Sequence, residues 1–162
     1  MEDFHKRIAG LVLRVLALAA TLTAAIIMGT SKESANFYAL SFEVNYNDTP
    51  AFKYFVIVNA VVSVYSFLAL FVPSKSSFWR LIVALDLLVT LMLTSCISAA
   101  LAIAQVGKNG NSITRWLPIC NQVPDYCDRV TIALAAGFAA AILYLMVLAA
   151  SAHAALDEDD CC

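Results

Sequence analysis

Two residues of opposite charge, Arg14 and Asp86, stand inside long apolar runs, where charge is least welcome. An ion left alone in hydrocarbon costs at least about 2.5–3.5 kcal/mol at a helix centre, so each needs a partner or a way out. Arg14 comes six residues after Ile8, and Asp86 five after Leu81. At 1.5 Å per residue, both sit roughly 8–9 Å inside the same face of a bundle whose first and third helices enter together. The matched depths predict an intramembrane ion pair with a structural role, fixing which helices meet and in what rotation. The alternative is an Arg14 that snorkels toward the headgroups while Asp86 is protonated or meets water. A proton or ion relay would call for further carboxylates along a path, and the apolar runs offer none.

Cysteine offers a second chemistry. Cys120 and Cys127 bracket the stretch Asn121-Gln122-Val123-Pro124-Asp125-Tyr126, whose Pro and polar residues suit a turn that brings the sulfurs together. We expect a disulfide, which persists only in an oxidising compartment. A metal site lacks nearby ligands, because His5 and His153 belong to the other face, and free thiols remain the third reading. Cys161 and Cys162 follow the acidic run 157–160 and are candidates for S-palmitoylation. Asn47-Asp48-Thr49 matches the N-glycosylation sequon, with Pro50 just behind it disfavouring modification. Cys96 reads as a small packing residue.

The elements that must position these groups are four membrane-spanning helices. The chain is 62% hydrophobic and 14% charged over 162 residues, with a mean hydropathy of +0.81. A soluble domain is about half apolar and a quarter charged. Runs of about 20 apolar residues are needed to cross a bilayer. They fall at about 8–28, 55–72, 81–106 and 130–156. Each must be helical, since unpaired backbone groups in lipid cost several kcal/mol. The expected fold is therefore all-α: a single membrane domain over 1–162, an antiparallel four-helix tetraspan bundle. The first run follows Lys6 and Arg7 but exceeds a signal-peptide core, so it reads as a retained signal anchor. The segment 73–80 is short enough to make helices two and three antiparallel neighbours.

An even number of spans puts both termini on one side. That side carries Lys6, Arg7, Lys75 and Arg80; the other carries Lys32, Lys53, Lys108, Arg115 and Arg129. The positive-inside rule weights short loops and membrane-proximal residues, which favours cytosolic termini and leaves the cysteine loop and the sequon outside. A net charge of −2 and the lack of a basic stripe argue against nucleic acid. No phosphate loop, H-E-x-x-H or nucleophile elbow is present, so we expect neither an enzyme nor a bound metal or cofactor. Ala133, Gly137 and Ala141, with Ala136 and Ala140 beside them, form small-residue rows in helix four, as do Ala17, Thr21 and Ala25 in helix one. Such rows let helices approach closely, within one chain or between subunits. Asn59, Ser63 and Ser66 are expected to hydrogen-bond between helices. Together with Thr90, Thr94 and Ser98 they are also the nearest thing to a polar stripe, which keeps a small channel or transporter, or its accessory subunit, as the alternative function.

Four spans, Arg14 within Arg7-Ile8-Ala9-Gly10-Leu11-Val12-Leu13-Arg14, Asp86 at the end of Phe78-Trp79-Arg80-Leu81-Ile82-Val83-Ala84-Leu85-Asp86, and the Cys120–Cys127 loop together resemble the plant Casparian strip membrane domain proteins. That family is distantly similar to the MARVEL tetraspans. The likeness runs from about Arg7 to about Ala155, and Tyr46-Asn47-Asp48-Thr49-Pro50-Ala51-Phe52 resembles the Casparian strip-like subgroup. The strip-forming members carry a Glu-Ser-Leu-Pro-type stretch in the first outer loop. Here it reads Glu33-Ser34-Ala35-Asn36-Phe37-Tyr38, which favours the strip-like subgroup. The resemblance implies a multi-pass plasma-membrane scaffold that forms homo-oligomers, a homodimer among the options, and heteromers with related members. Such scaffolds organise membrane- and wall-modifying partners.

Overall fold

The computed structural model describes residues 2–37, 40–71, 79–111, 113 and 115–159. Cys161, Cys162, Lys75 and most of the short connection 73–80 lie outside the described residues. The chain forms α1 (Glu2–Gly29), a hairpin of β1 (Lys32–Phe37) and β2 (Leu40–Asn45), a single 3-10 turn (Tyr46–Asp48), α2 (Pro50–Ala69), α3 (Trp79–Asn109) and α4 (Pro124–Asp159). All four helices are long and apolar enough to cross a membrane, and together they make an all-α tetraspan membrane bundle.

All four helices begin earlier than hydropathy alone places them, and in two of them the reason is a proline. Pro50 opens α2 and Pro124 opens α4. Proline is suited to the first helical position, where its missing N–H is not needed and its φ is already helical. The turn expected around Pro124 is therefore the first turn of α4, and Cys127 belongs to a helix and not to a free loop. The hairpin between α1 and α2 was also not expected. Its strands pair antiparallel from Lys32 with Asn45 to Phe37 with Leu40. The alternation Leu40-Ser41-Phe42-Glu43-Val44-Asn45 has the period of two that a strand requires.

The core shows a regularity that hydropathy conceals. Buried residues recur in alternating steps of three and four along every helix. In α1 they are Ala17, Thr21, Ala24 and Met28; in α2 the series is Phe52, Phe55, Asn59, Val62 and Ser66, widened by the buried Val58 and Ser63 beside it. In α3 they run Ile82, Asp86, Val89, Leu93, Cys96 and Ala100, and in α4 from Tyr126 through Val130, Ala133, Gly137, Ala140, Tyr144 and Val147 to Ser151. This is a heptad seam, the pattern of left-handed bundles with helices crossing at about 20°. Leu11, Val12, Val15, Leu16, Leu88 and Leu91 point outward, where lipid is their solvent.

α1 packs against α2 and α4, and α3 packs against the same two. Hence α1 and α3 occupy opposite corners of the bundle, as do α2 and α4. At the end away from the chain termini, α3 is stopped by Gly110, whose φ of +69° and bond to the Val106 carbonyl form a left-handed cap. A Cβ there would lie 2.6 Å from the Trp116 carbonyl oxygen, so no other residue fits. The chain then folds back, pairing Asn111 with Trp116.

Candidate functional site

Arg14 on α1 and Asp86 on α3 meet across the bundle diagonal. The guanidinium donates to both carboxylate oxygens, Nη1 to Oδ1 at 3.2 Å and Nη2 to Oδ2 at 2.6 Å. This two-pronged geometry suits the planar arginine fork. Asp86 is fully buried, and only 13% of the Arg14 side chain is exposed. Tyr65 on α2 adds a third donor, its hydroxyl lying 2.6 Å from Asp86 Oδ1. Three helices therefore converge on one carboxylate. The fourth reaches the same level through Tyr144 of α4, which is hydrogen-bonded to Ser66, the chain neighbour of Tyr65. One contact spans the α1–α3 diagonal and the other the α2–α4 diagonal. A four-cornered bundle sheared in either direction would break one of them.

The remaining intramembrane polar groups continue this cross-bracing. Ser63 donates to Thr21 on α1 at 3.0 Å, and Asn59 reaches the Cys96 sulfur on α3 at 3.9 Å. Gly137 of the small-residue row faces inward: a Cβ there would stand 2.9 Å from Phe55 Cζ. That row serves contact within the chain. Thr90, Thr94 and Ser98 each donate to the carbonyl four residues back. Thr90 is buried, whereas Thr94 and Ser98 are exposed, so their row leaves the interior for the lipid side. Sequence reasoning missed Tyr65 and Tyr144. An aromatic residue in an apolar run raises no alarm, and only its hydroxyl distinguishes it from Phe.

The opposite end is built around the first turn of α4. Cys120 and Cys127 are joined by a disulfide with Cα atoms 5.6 Å apart. The Glu33 carboxylate of β1 accepts a 2.7 Å bond from the Tyr126 backbone N–H. It thereby places negative charge at a helix N-terminus, where unpaired N–H groups favour it. The Tyr126 ring packs edge-on against Phe52 of α2, with centroids 6.4 Å apart. Asn47 is exposed on the 3-10 turn, which Asn45 and Asp48 hold by a reciprocal capping box. A disulfide closing so short a loop contributes about 2–3 kcal/mol. Cys120→Ser should therefore lower the thermal midpoint by several degrees and detach residues 115–123 from α4 while the four helices persist. Differential scanning fluorimetry with limited proteolysis would read both, and a midpoint equal to wild type would refute the bracing role.

The Casparian strip membrane protein domain model matches residues 5–143. The chain is 59% identical over 157 residues to CASP-like protein 1C1 of Arabidopsis thaliana, covering 97% of this chain and 96% of that one. It is 59% identical over 153 residues to CASP-like protein 1C3 of Populus trichocarpa, covering 94% and 90%. With CASP-like protein 1C2 of Vitis vinifera it is 59% identical over 142 residues, 88% of each chain. No solved structure matches.

Proposed function

Because the chain belongs to the Casparian strip membrane protein domain family, we propose that it is a non-enzymatic plasma-membrane scaffold. It assembles with copies of itself and with related family members, and it organises membrane- and wall-modifying partners. The observation that carries this reading is the use made of the intramembrane charges. Arg14 and Asp86 satisfy each other across the diagonal, with Tyr65 completing the carboxylate. They hold a shape, tying α1, α2 and α3 together. The apolar outer faces of the helices and the two loops at the disulfide end are then the surfaces that meet partners.

Both termini face the cytosol in this reading. Support comes from Lys6 and Arg7 at one end and from the disulfide at the other, which belongs in an oxidising compartment. Asn47, exposed at the disulfide end, would carry a glycan there; electrophoretic mobility unchanged by endoglycosidase would remove it. The competing channel reading needs a continuous polar stripe through the interior. The exposure of Thr94 and Ser98 on the lipid side counts against one. Cross-linking with mass spectrometry on native membranes should return links between copies and to family members. Purified protein in liposomes should pass no selective ion current. Exclusively intramolecular links, or robust selective flux, would overturn the scaffold.

A further inference from the structure

A cavity of about 840 Å³ lies at the disulfide end between α3, α4 and residues 115–120. Leu101, Ile103 and Phe138 on its wall are exposed on membrane-crossing helices, so it opens sideways into the lipid. Its size falls within the roughly 300–1,000 Å³ of small-molecule sites. Its polar lining is what sets it apart from a packing defect. Lys108 and Arg115 both line it, and neither takes part in an ion pair among the described residues. Arg115 is held at φ +56°, which is uncommon for a residue other than glycine. Tyr126, on the same wall, is 3% exposed, yet its hydroxyl has no hydrogen-bond partner. Buried hydroxyls are normally satisfied, and one that is not calls for an explanation.

An acyl chain gains little by leaving lipid tails for this groove, because the tails are as apolar as the wall. The wall therefore admits a chain without selecting it, and selection falls to the polar mouth. Two cations without an ion pair among the described residues suit phosphate oxygens, which arginine binds by its fork and lysine as a point charge. Trp116, exposed beside them, is of the type that settles at the headgroup level. We propose that this cavity binds one phospholipid molecule. An acyl chain lies along Leu101, Ile103 and Phe138, and the phosphate rests against Lys108 and Arg115. The buried Tyr126 hydroxyl supplies a donor for the ester oxygens. The exposed carboxylate of Asp128 is also on the lining and opposes an anion there, but the two cations outnumber it. This inference depends on the membrane-spanning fold and not on the scaffold role.

The test uses the full chain in micelles, offered equal amounts of phosphatidylglycerol and a diacylglycerol with the same chains, with retained lipid counted by native mass spectrometry. One phosphatidylglycerol per chain should be retained, at least tenfold over diacylglycerol. The pair Lys108→Gln with Arg115→Gln, both exposed positions, should keep the thermal midpoint and lower that preference by about tenfold or more, at about fivefold per cation. Ala135→Trp, which fills the exposed side of the wall, should lose both lipids. Equal retention of the two lipids by the wild type would overturn the proposal, as would an unchanged preference in the glutamine pair. A cross-link placing a helix of a second copy in the cavity would do the same.

Discussion

Asp86→Asn should leave little folded protein in the membrane. The substitution keeps the shape of the side chain but removes the charge that both arms of Arg14 address, at 3.2 and 2.6 Å. Arg14 is then an uncompensated cation inside the bundle, and breaking a buried pair from one side costs about 3–5 kcal/mol. That is a large part of the roughly 5–15 kcal/mol that holds an ordinary domain together. We expect steady-state membrane levels to fall at least severalfold, with loss of assembled species. Arg14→Leu combined with Asp86→Leu should recover much of the loss, because neither charge is then stranded. Tyr65→Phe removes one hydrogen bond to a charged group while leaving the pair intact, so its cost should be smaller, about 1.5–3 kcal/mol. The decisive comparison is membrane abundance and thermal midpoint across these three variants. Wild-type values for Asp86→Asn would show that the pair holds nothing together.

The second large effect lies where no charge is involved. Gly137 sits on the inner seam of α4 with Phe55 of α2 and Ile97 of α3 against it. An added Cβ would lie 2.9 Å from Phe55 Cζ, 3.0 Å from Phe55 Cε2 and 3.4 Å from Ile97 Cγ1. Phe55 is fully buried, so its ring has no solvent-filled space to move into. Gly137→Ala should therefore destabilise by about 1 kcal/mol or more despite the better helix propensity of alanine. Gly137→Leu overfills the site by a whole side chain and should cost more than ~3 kcal/mol, from strain and splaying of α2 from α4. Adding Phe55→Ala to Gly137→Leu returns volume and should restore part of the midpoint. Gly10→Ala is the control: nothing lies within 4 Å of the Cβ position there, so the midpoint should hold or rise slightly through helix propensity. A midpoint for Gly137→Leu within a degree of wild type would mean that the helices do not approach as described.

The seam that positions both sites was only partly legible in the sequence. In a soluble bundle the outward residues are polar and the heptad stands out. Here Leu88 and Leu91 face lipid while Val89 and Leu93 face the core, and all four are equally apolar, so hydropathy sees one unbroken run. The signal lay in the small and polar residues. Ala17, Thr21 and Ala24 on α1, Asn59 and Ser66 on α2, and Ala133, Gly137 and Ala140 on α4 all fall on the three-four rhythm. Interfaces without a hydrophobic driving force depend on close approach and hydrogen bonds. The hairpin was legible in β2, whose alternation is clear, but not in β1, where Lys32-Glu33-Ser34-Ala35-Asn36-Phe37 has no alternating apolar face.

By itself the sequence determined the solvent. Runs of apolar residues long enough to cross a bilayer admit only helices there, because backbone groups have no other partner. It also marked Arg14 and Asp86 as an expected pair, because a stranded charge in hydrocarbon is costly and their depths agree. Only the tertiary structure decided that the pair spans a diagonal and not an edge, that Tyr65 completes the carboxylate, and that Ser66 and Tyr144 brace the other diagonal. Those outcomes depend on the rotation of each helix about its own axis. In lipid that rotation is set by side-chain packing and a few hydrogen bonds, which hydropathy does not record.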